Sequence, residues 1–483
     1  MSLPYSCHIF MFPFQWSIKE MSQQPFSEQI AFKNISTPRV LVNWERDNTP
    51  EDEFKKELLF NEKNYFYKFI HDSLYDNGKD DNTNIVRQYR RTEPGHQDVF
   101  YEIETSDKTY KLKVTGICLN LYSTGVGVLT FSMSNNEYKE LPDILKINQF
   151  GRRVYPPFYH AQGIELAQSL GFIGLNSSYS EDFQSYKPED SNKPAAFLLK
   201  MVKEVAQNIN IEPVIDDRMY SMSWFRDNDL AKDLCKNFKE SDNWYRYVFV
   251  DGGLCTCQND ELKKELIKEA TYSRWTKWNS IYGISRYSFV MLSNAGEDEK
   301  HLYDTFETIY ARMAELTLVQ KASVLRFSAE VTNISSMEEN ASMVSIPERT
   351  RSLYKEYIRF INQIHFREVS AQDQAIELYN MLYKNANLEE QTEKLDNEIG
   401  ELHQYASLIE DKETNRKMSF LSFIATIFVP ATFVAGVFGM NNSCFGDKDD
   451  CWNTAIFQIG FIIASVILFV IICKIIYKLW NNK

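Results

Sequence analysis

The chain has 483 residues, a formal net charge of −13 and an aromatic content of 14%. That length leaves room for several domains and a large buried core. The acidic balance excludes a general nucleic-acid binder, which carries a basic face, so no direct nucleic-acid partner is expected.

Residues 1–17 are apolar, but Pro4 and Pro13 interrupt them and no basic stretch precedes them. They do not read as a secretory signal. The stretch from His8 to Trp16 reads as a strand instead, and residues 18–52 as irregular. Phe54 to Tyr75 has helical spacing, with Leu58, Leu59, Tyr65, Phe66 and Phe69 near one face. Val99 to Ser134 reads as strands, with turns at Ser106-Asp107-Lys108 and Gly125-Val126-Gly127. The second turn has the outline of a phosphate-binding glycine loop, but no helix start follows it, so a hairpin is expected. Residues 140–163 read as a loop rich in Arg, Pro and aromatics. Ala195 to Asn208 and Glu261 to Glu269 are expected helices. Val214 to Phe225, Trp244 to Asp251 and Ile284 to Leu292 are expected strands. This alternation points to an α/β domain over residues 1–294.

From Asn294 onward the pattern is helical. His301 to Val331 and Arg349 to Asn385 each read as one long helix, within a segment 295–387. The last helix starts near Leu388. Leu395, Ile399, Leu402, Leu408 and Ile409 form its packing stripe, and Gly400 is its weak point. Nothing breaks the pattern before Met418 to Phe438, a run without a charged residue. It approaches the roughly 20 residues that a helix needs to cross a bilayer. Helix as far as Phe438 makes a rod about 75 Å long at roughly 1.5 Å per residue. A stalk (388–417) would thus run into a first membrane helix (418–438). A loop (439–454), a second apolar run (455–473) and a basic tail (474–483) follow. Lys412, Arg416 and Lys417 precede the first run, and Lys474, Lys478 and Lys483 end the second. The loop carries Asp447, Asp449 and Asp450 against Lys448. Positive-inside logic puts both termini in the cytoplasm and the loop outside the cell membrane.

Asn415, Met418, Ser422, Ala425, Val429, Thr432 and Gly436 share one helical face, against Phe420, Phe423, Ile427 and Phe433 opposite. By periodicity, this small and polar stripe suits a water-filled path and close helix packing equally well. Asn415, Met418, Ala425-Thr426, Phe428, Pro430, Thr432, Ala435-Gly436 and then Gly439-Met440-Asn441 decide between them. Two apolar runs joined by a short loop that opens with Gly-Met-Asn resemble the CorA family of divalent-cation channels, over roughly residues 388–480. The resemblance implies a homopentamer in the lipid bilayer, with this helix from each chain lining the pore. Mg2+ is the implied cargo, and no covalent cofactor is expected. Asn441 would be the metal-facing ring at the outer mouth and Asn415 its inner counterpart. Met418 and Leu421 would form an apolar constriction able to close by dewetting. Related members carry Zn2+, Ni2+ or Co2+. Two departures stand out. Asn442-Ser443-Cys444-Phe445 replaces the aromatic and acidic residues often found after the motif. Leu402-His403-Gln404 stands where the family's pentamers often hold carboxylates for regulatory Mg2+. Cys444 and Cys451 share the loop, either bridged or as two thiols.

The N-terminal part exceeds the usual family size. In outline it resembles CorA-like membrane proteins found with type III CRISPR systems, in which a nucleotide messenger is implied, an S-adenosylmethionine–AMP conjugate. A site for such an anion is sought at Arg152, Arg153, Tyr155, Phe158 and Tyr159: paired guanidinium groups grip phosphate and aromatic rings stack on bases. Arg87, Arg90 and Arg91 are a second candidate. In both places the arginines could equally pair with carboxylates. Cys255-Thr256-Cys257 lacks partner ligands nearby. Asp216-Asp217-Arg218 reads as a metal seed or, more simply, as a turn at a strand edge. There is no P-loop, HExxH, GxSxG or dinucleotide fingerprint, so an anchored enzyme is not expected. A non-conducting scaffold is the other rival.

Overall fold

The computed structural model describes residues 3–38, 41–47, 62–79, 83–92, 98–155, 167–175, 179–185, 194–253, 255–296, 299–337 and 345–439. Beyond these it describes 459, 460, 463, 466, 467, 470 and 474, and it leaves out the side chains at 427, 431, 434, 435 and 437–439. The chain forms two compact units, Met1–Leu402 and His403–Lys483.

The strands of the first unit are β1 (Ser6–Ile18), β2 (Trp44–Arg46), β3 (Val86–Arg91), β4 (Phe100–Glu104), β5 (Thr109–Tyr122) and β6 (Val126–Asn135). They continue as β7 (Ser169–Ile173), β8 (Tyr179–Asp182), β9 (Ile209–Pro213), β10 (Tyr220–Arg226), β11 (Thr271–Tyr272), β12 (Ile281–Ile284) and β13 (Ser288–Ser293). All belong to one sheet, whose main path runs β11-β12-β13-β10-β1-β6-β5-β4-β7-β8. The β10–β13 pair is parallel, while the β1–β10, β1–β6 and β5–β6 pairs are antiparallel. The expected strands at the N-terminus and across residues 99–134 are present. Gly125 turns the β5–β6 hairpin with φ +77°, a conformation that L side chains rarely adopt.

β1 is buried on both faces. The Phe10 ring lies against Gly151, while Ile9 and Met11 face a cavity lined by Ala311 and Arg312. Pro13 sits where β1 changes partners on one side. Residues 6–11 pair with β10, and residues 14–18 pair with β9. A residue without an N–H suits that lapse, and the β9–β10 connection leaves the sheet there.

The helices are α1 (Leu141–Gly151), α2 (Ala196–Val205), α3 (Asn228–Asn237), α4 (Asp242–Phe249) and α5 (Asp260–Ala270). Then come α6 (Ala311–Ser335), entered through a π-turn at Phe306–Tyr310, and α7 (Ile346–Gln363), α8 (Asp373–Asn385) and α9 (Leu388–Gly439). Helices α2 and α5 were expected. Four expectations are corrected. Residues 140–163 contain α1 rather than only loop; Pro142 occupies its first turn, where a missing N–H costs nothing. Trp244–Asp251 is helical, not a strand. The Ser241 hydroxyl caps α4 by accepting from Trp244 N, and Trp244, Tyr245, Tyr247 and Val248 are buried, so packing overrides the β preference of aromatic residues. Residues 62–74 are separate short turns rather than part of one helix, and residues 54–61 lie outside the described set. Arg349–Asn385 is broken between α7 and α8. Gln320 of α6 donates to the Ile364 carbonyl (2.8 Å) and the Phe366 carbonyl (3.3 Å), and Ser370 Oγ donates to Tyr65 O. The two bonds from Gln320 use backbone carbonyls that a continuous helix would have kept.

Helix α6 packs on β1 and β6. Its Glu315 accepts from Asn120 Nδ2 and from Tyr122 Oη at 2.7 Å, which ties the helix to the sheet. α9 is continuous for 52 residues through Gly400 and Pro430, as the uninterrupted pattern implied.

Candidate functional site

Along α9 beyond His403, Asn415, Met418, Leu421, Ser422, Ala425, Val429, Thr432 and Gly436 are all exposed. Met418 (60% exposed), Leu421 (63%) and Val429 (64%) leave bulky apolar side chains uncovered in the single chain, the kind of exposed apolar surface that marks an interaction site. Phe420, Phe428 and Phe433 are exposed as well, so the faces of this stretch away from Asn415, Ser422 and Thr432 are apolar. A Cβ added at Gly436 would meet nothing within 4 Å among the described residues, so none of them demands a glycine there. Thr432 Oγ donates to the Phe428 carbonyl at 2.8 Å, and Thr426 Oγ donates to the Ser422 carbonyl at 2.8 Å. With its proton committed to the helix, each hydroxyl presents lone pairs outward. Pro430 has no N–H, which deprives the Thr426 carbonyl of its helical partner. Gly439 ends the helix, while Met440 and Asn441 lie outside the described residues, as do Cys444 and Cys451. Among the described residues no helix is long and apolar enough to cross a membrane. The two apolar runs fall partly outside that description.

The second arginine candidate resolves into structural pairs. Arg87 lies over the Phe32 ring at 4.8 Å, Arg90 pairs with Asp47 at 3.2 Å, and Arg91 pairs with Glu204 at 2.6 Å. Arg90 and Arg91 line a cavity of about 550 Å³ against the sheet, but Asp47, Glu62, Asp76, Glu307 and Glu315 line it too. With Lys63 and Arg312 the basic residues are still outnumbered by the carboxylates, so the cavity offers an anion no net positive charge.

The first candidate divides. Arg153 bridges to Arg218 as an isolated strand pair, donates from Nε to the Tyr155 carbonyl at 2.9 Å and faces Asp217 at 4.0 Å. Phe158 and Tyr159 lie outside the described residues. Arg152 is 2% exposed and lines a crevice of about 130 Å³ at the β1 lapse, together with Pro13, Asp216, Arg218, Arg286 and Tyr287. The Tyr287 ring receives both Arg152 and Arg218, each 5.7 Å from its centroid. Arg152 Nε has no hydrogen-bond partner among the described residues. Burial and then the neighbouring Arg218 pull the Arg152 guanidinium down to about 9, which still leaves it charged at neutral pH. Asp216 is pushed up to about 6, chiefly by burial. It pairs with Arg218 at 3.8 Å, and Asp217 pairs with the same guanidinium at 3.0 Å. Asp216-Asp217-Arg218 is therefore an ion-paired turn ahead of β10, and no metal-holding cluster of His, Cys, Asp or Glu exists among the described residues. Arg286 and Tyr287 had no signal in the sequence, because a turn that joins two short strands carries no periodicity.

Comparison with known proteins adds one match. Residues 301–474 match the family model described as CorA-like Mg2+ transporter protein. No curated protein matches the chain.

Proposed function

Residues 301–474 belong to the CorA-like Mg2+ transporter family, and from that premise we propose that the protein is a divalent-cation channel with Mg2+ as its cargo. In this reading five copies of α9 surround a water-filled path. Met418–Phe438 and residues 455–473 cross the membrane, and both termini are cytoplasmic. The observation that carries it is the exposed, small and polar stripe from Asn415 to Gly436, on a helix whose other faces are apolar.

The chemistry is that of a cation that keeps its water. Mg2+ sheds its hydration shell reluctantly, and the hydrogens of that shell point outward. A path for it needs acceptors rather than donors. The oxygens of Thr426 and Thr432, whose protons are spent on backbone carbonyls, meet that need. A ring of Asn441 amide oxygens at the mouth would hold the hydrated ion without the grip of a carboxylate ring. Met418 and Leu421 supply an apolar narrowing that closes when it dries. The cytoplasmic unit would act on the path through α9, one helix from Leu388 to Gly439. The messenger-gated form of this reading, with a nucleotide driving permeabilisation, takes its support from the basic crevice around Arg152.

The test is ion flux into liposomes that contain the full chain. Asn441→Ala is expected to reduce Mg2+ flux by roughly tenfold or more, since a lost hydrogen bond to a charged group costs about 1.5–3 kcal/mol. Flux in the variant equal to wild type would remove Asn441 from the path, and no flux in either would leave the enzyme and scaffold readings. Zn2+, Ni2+ and Co2+ in the same assay rank the cargo.

A further inference from the structure

The crevice around Arg152 holds more donors than its surroundings use. Arg152 is buried as a cation with Nε unpartnered. The Tyr220 hydroxyl lines the same crevice, is buried, and also lacks a partner among the described residues. Arg286 reaches the crevice from the β12–β13 turn. The one lining carboxylate, Asp216, is already engaged by Arg218. Asp216 and Asp217 favour the Arg152 cation through space, but both form their ion pairs with Arg218, and the orphan Nε together with the orphan Tyr220 hydroxyl leaves the crevice short of acceptors. The volume of about 130 Å³ falls well below the roughly 300 Å³ at which pockets for whole organic ligands begin. It suits a single tetrahedral oxyanion.

The crevice continues toward the stalk. A smaller cavity of about 40 Å³ shares Ile215, Tyr220, Arg286 and Leu318 with it and adds Lys321 of α6 and Ala386. Lys321 Nζ donates to the Ala386 carbonyl at 3.0 Å and to Gln391 Oε1, so it clasps the junction between α8 and α9. Burial, and after it the charge of Arg286, lower Lys321 to about 8. An anion on Arg286 would oppose that repulsion, favour the ammonium form and strengthen both bonds.

We propose that this crevice binds a phosphoryl group through Arg152, Arg286 and Tyr220, and that the bound group tightens the clasp of Lys321 on the start of α9. The inference deepens the gating part of the proposed function and rests on it only for its consequence; binding stands by itself. The phosphoryl group belongs to free phosphate or to the terminus of a larger molecule.

The experiment is titration calorimetry on the full chain in detergent with inorganic phosphate, pyrophosphate and ADP in turn, with no cation gradient. At least one probe is expected to bind. Phosphate bound most tightly assigns the free ion, and pyrophosphate or ADP bound more tightly assigns a phosphoryl terminus. Arg286→Gln, at an exposed position without a described ion pair, and Arg152→Gln should each weaken binding on the order of tenfold, and Tyr220→Phe several-fold. Hydrogen exchange at residues 386–391 should slow when the probe is bound, and Lys321→Met should abolish that slowing while weakening binding less than Arg286→Gln does, because the coupling is reciprocal. No binding by any probe, or affinity unmoved in Arg286→Gln and Tyr220→Phe, overturns the site. Binding with unchanged exchange overturns the clasp. Neither outcome depends on whether Asn441→Ala alters flux.

Discussion

His8 shows how position decides what a titratable residue does. It stands in β1, fully buried, with one ring nitrogen 2.8 Å from Ser6 Oγ and the other 2.7 Å from Asn148 Oδ1. Burial lowers it to about 4, against the pull of the Asn148 bond. In the unfolded chain a histidine titrates near 6.5. The unfolded state therefore binds the proton first, and stability present above pH 6.5 is lost as pH falls toward 4, by roughly 3 kcal/mol for this residue. His365, also lowered to about 4 by burial and then by Arg367, acts in the same sense. Glu307, Glu330 and Glu356 are raised by burial and act in the opposite sense. Urea midpoints at several pH values between 7 and 4 should therefore fall less steeply in His8→Gln than in wild type. Parallel slopes would mean that His8 is not the group that matters.

Among the elements, α9 was the most legible and its neighbours the least. Its continuity follows from the lack of any strong breaker before Pro430, a residue that a long helix tolerates once its ends are held elsewhere. Leu395, Ile399 and Leu402 of the expected stripe are buried and Ile409 is half-buried, whereas Leu408 is exposed, so full burial along the stripe ends at Leu402. Leu395→Ala should destabilise the first compact unit by about 2–5 kcal/mol, and Leu408→Ala should leave it nearly unchanged; thermal unfolding of both variants in detergent separates them. Equal effects would show that the stripe does not end where burial places it. Where helix and strand tendencies compete, as in Trp244–Phe249, the aromatic residues were read for a strand because their burial partners lie far away in the sequence. The break after Gln363 was hidden for a similar reason: its fixing contacts come from Gln320 and Tyr65.

For the whole molecule, a single α9 cannot enclose the proposed path, and the apolar faces of its C-terminal stretch are left uncovered in the single chain. Both requirements are met by several copies in a bilayer. Native mass spectrometry of the detergent-solubilised chain should give a mass of five copies, and a monomer under conditions that support flux would end the pore reading. The family resemblance over roughly residues 388–480, the long terminal helix and the hairpins of the sheet were all readable from the chain itself, because periodicity, charge and turn chemistry are local. The crevice was not. Arg152 was visible as half of an arginine pair, but its unpartnered Nε lies where Pro13 interrupts the strand pairing, the β9–β10 connection swings out, and a turn from residue 285 onward brings Arg286 to the same crevice. Sequence determines which side chains a segment carries; only the packing of distant segments determines which of those charges meet a partner and which are left waiting for one.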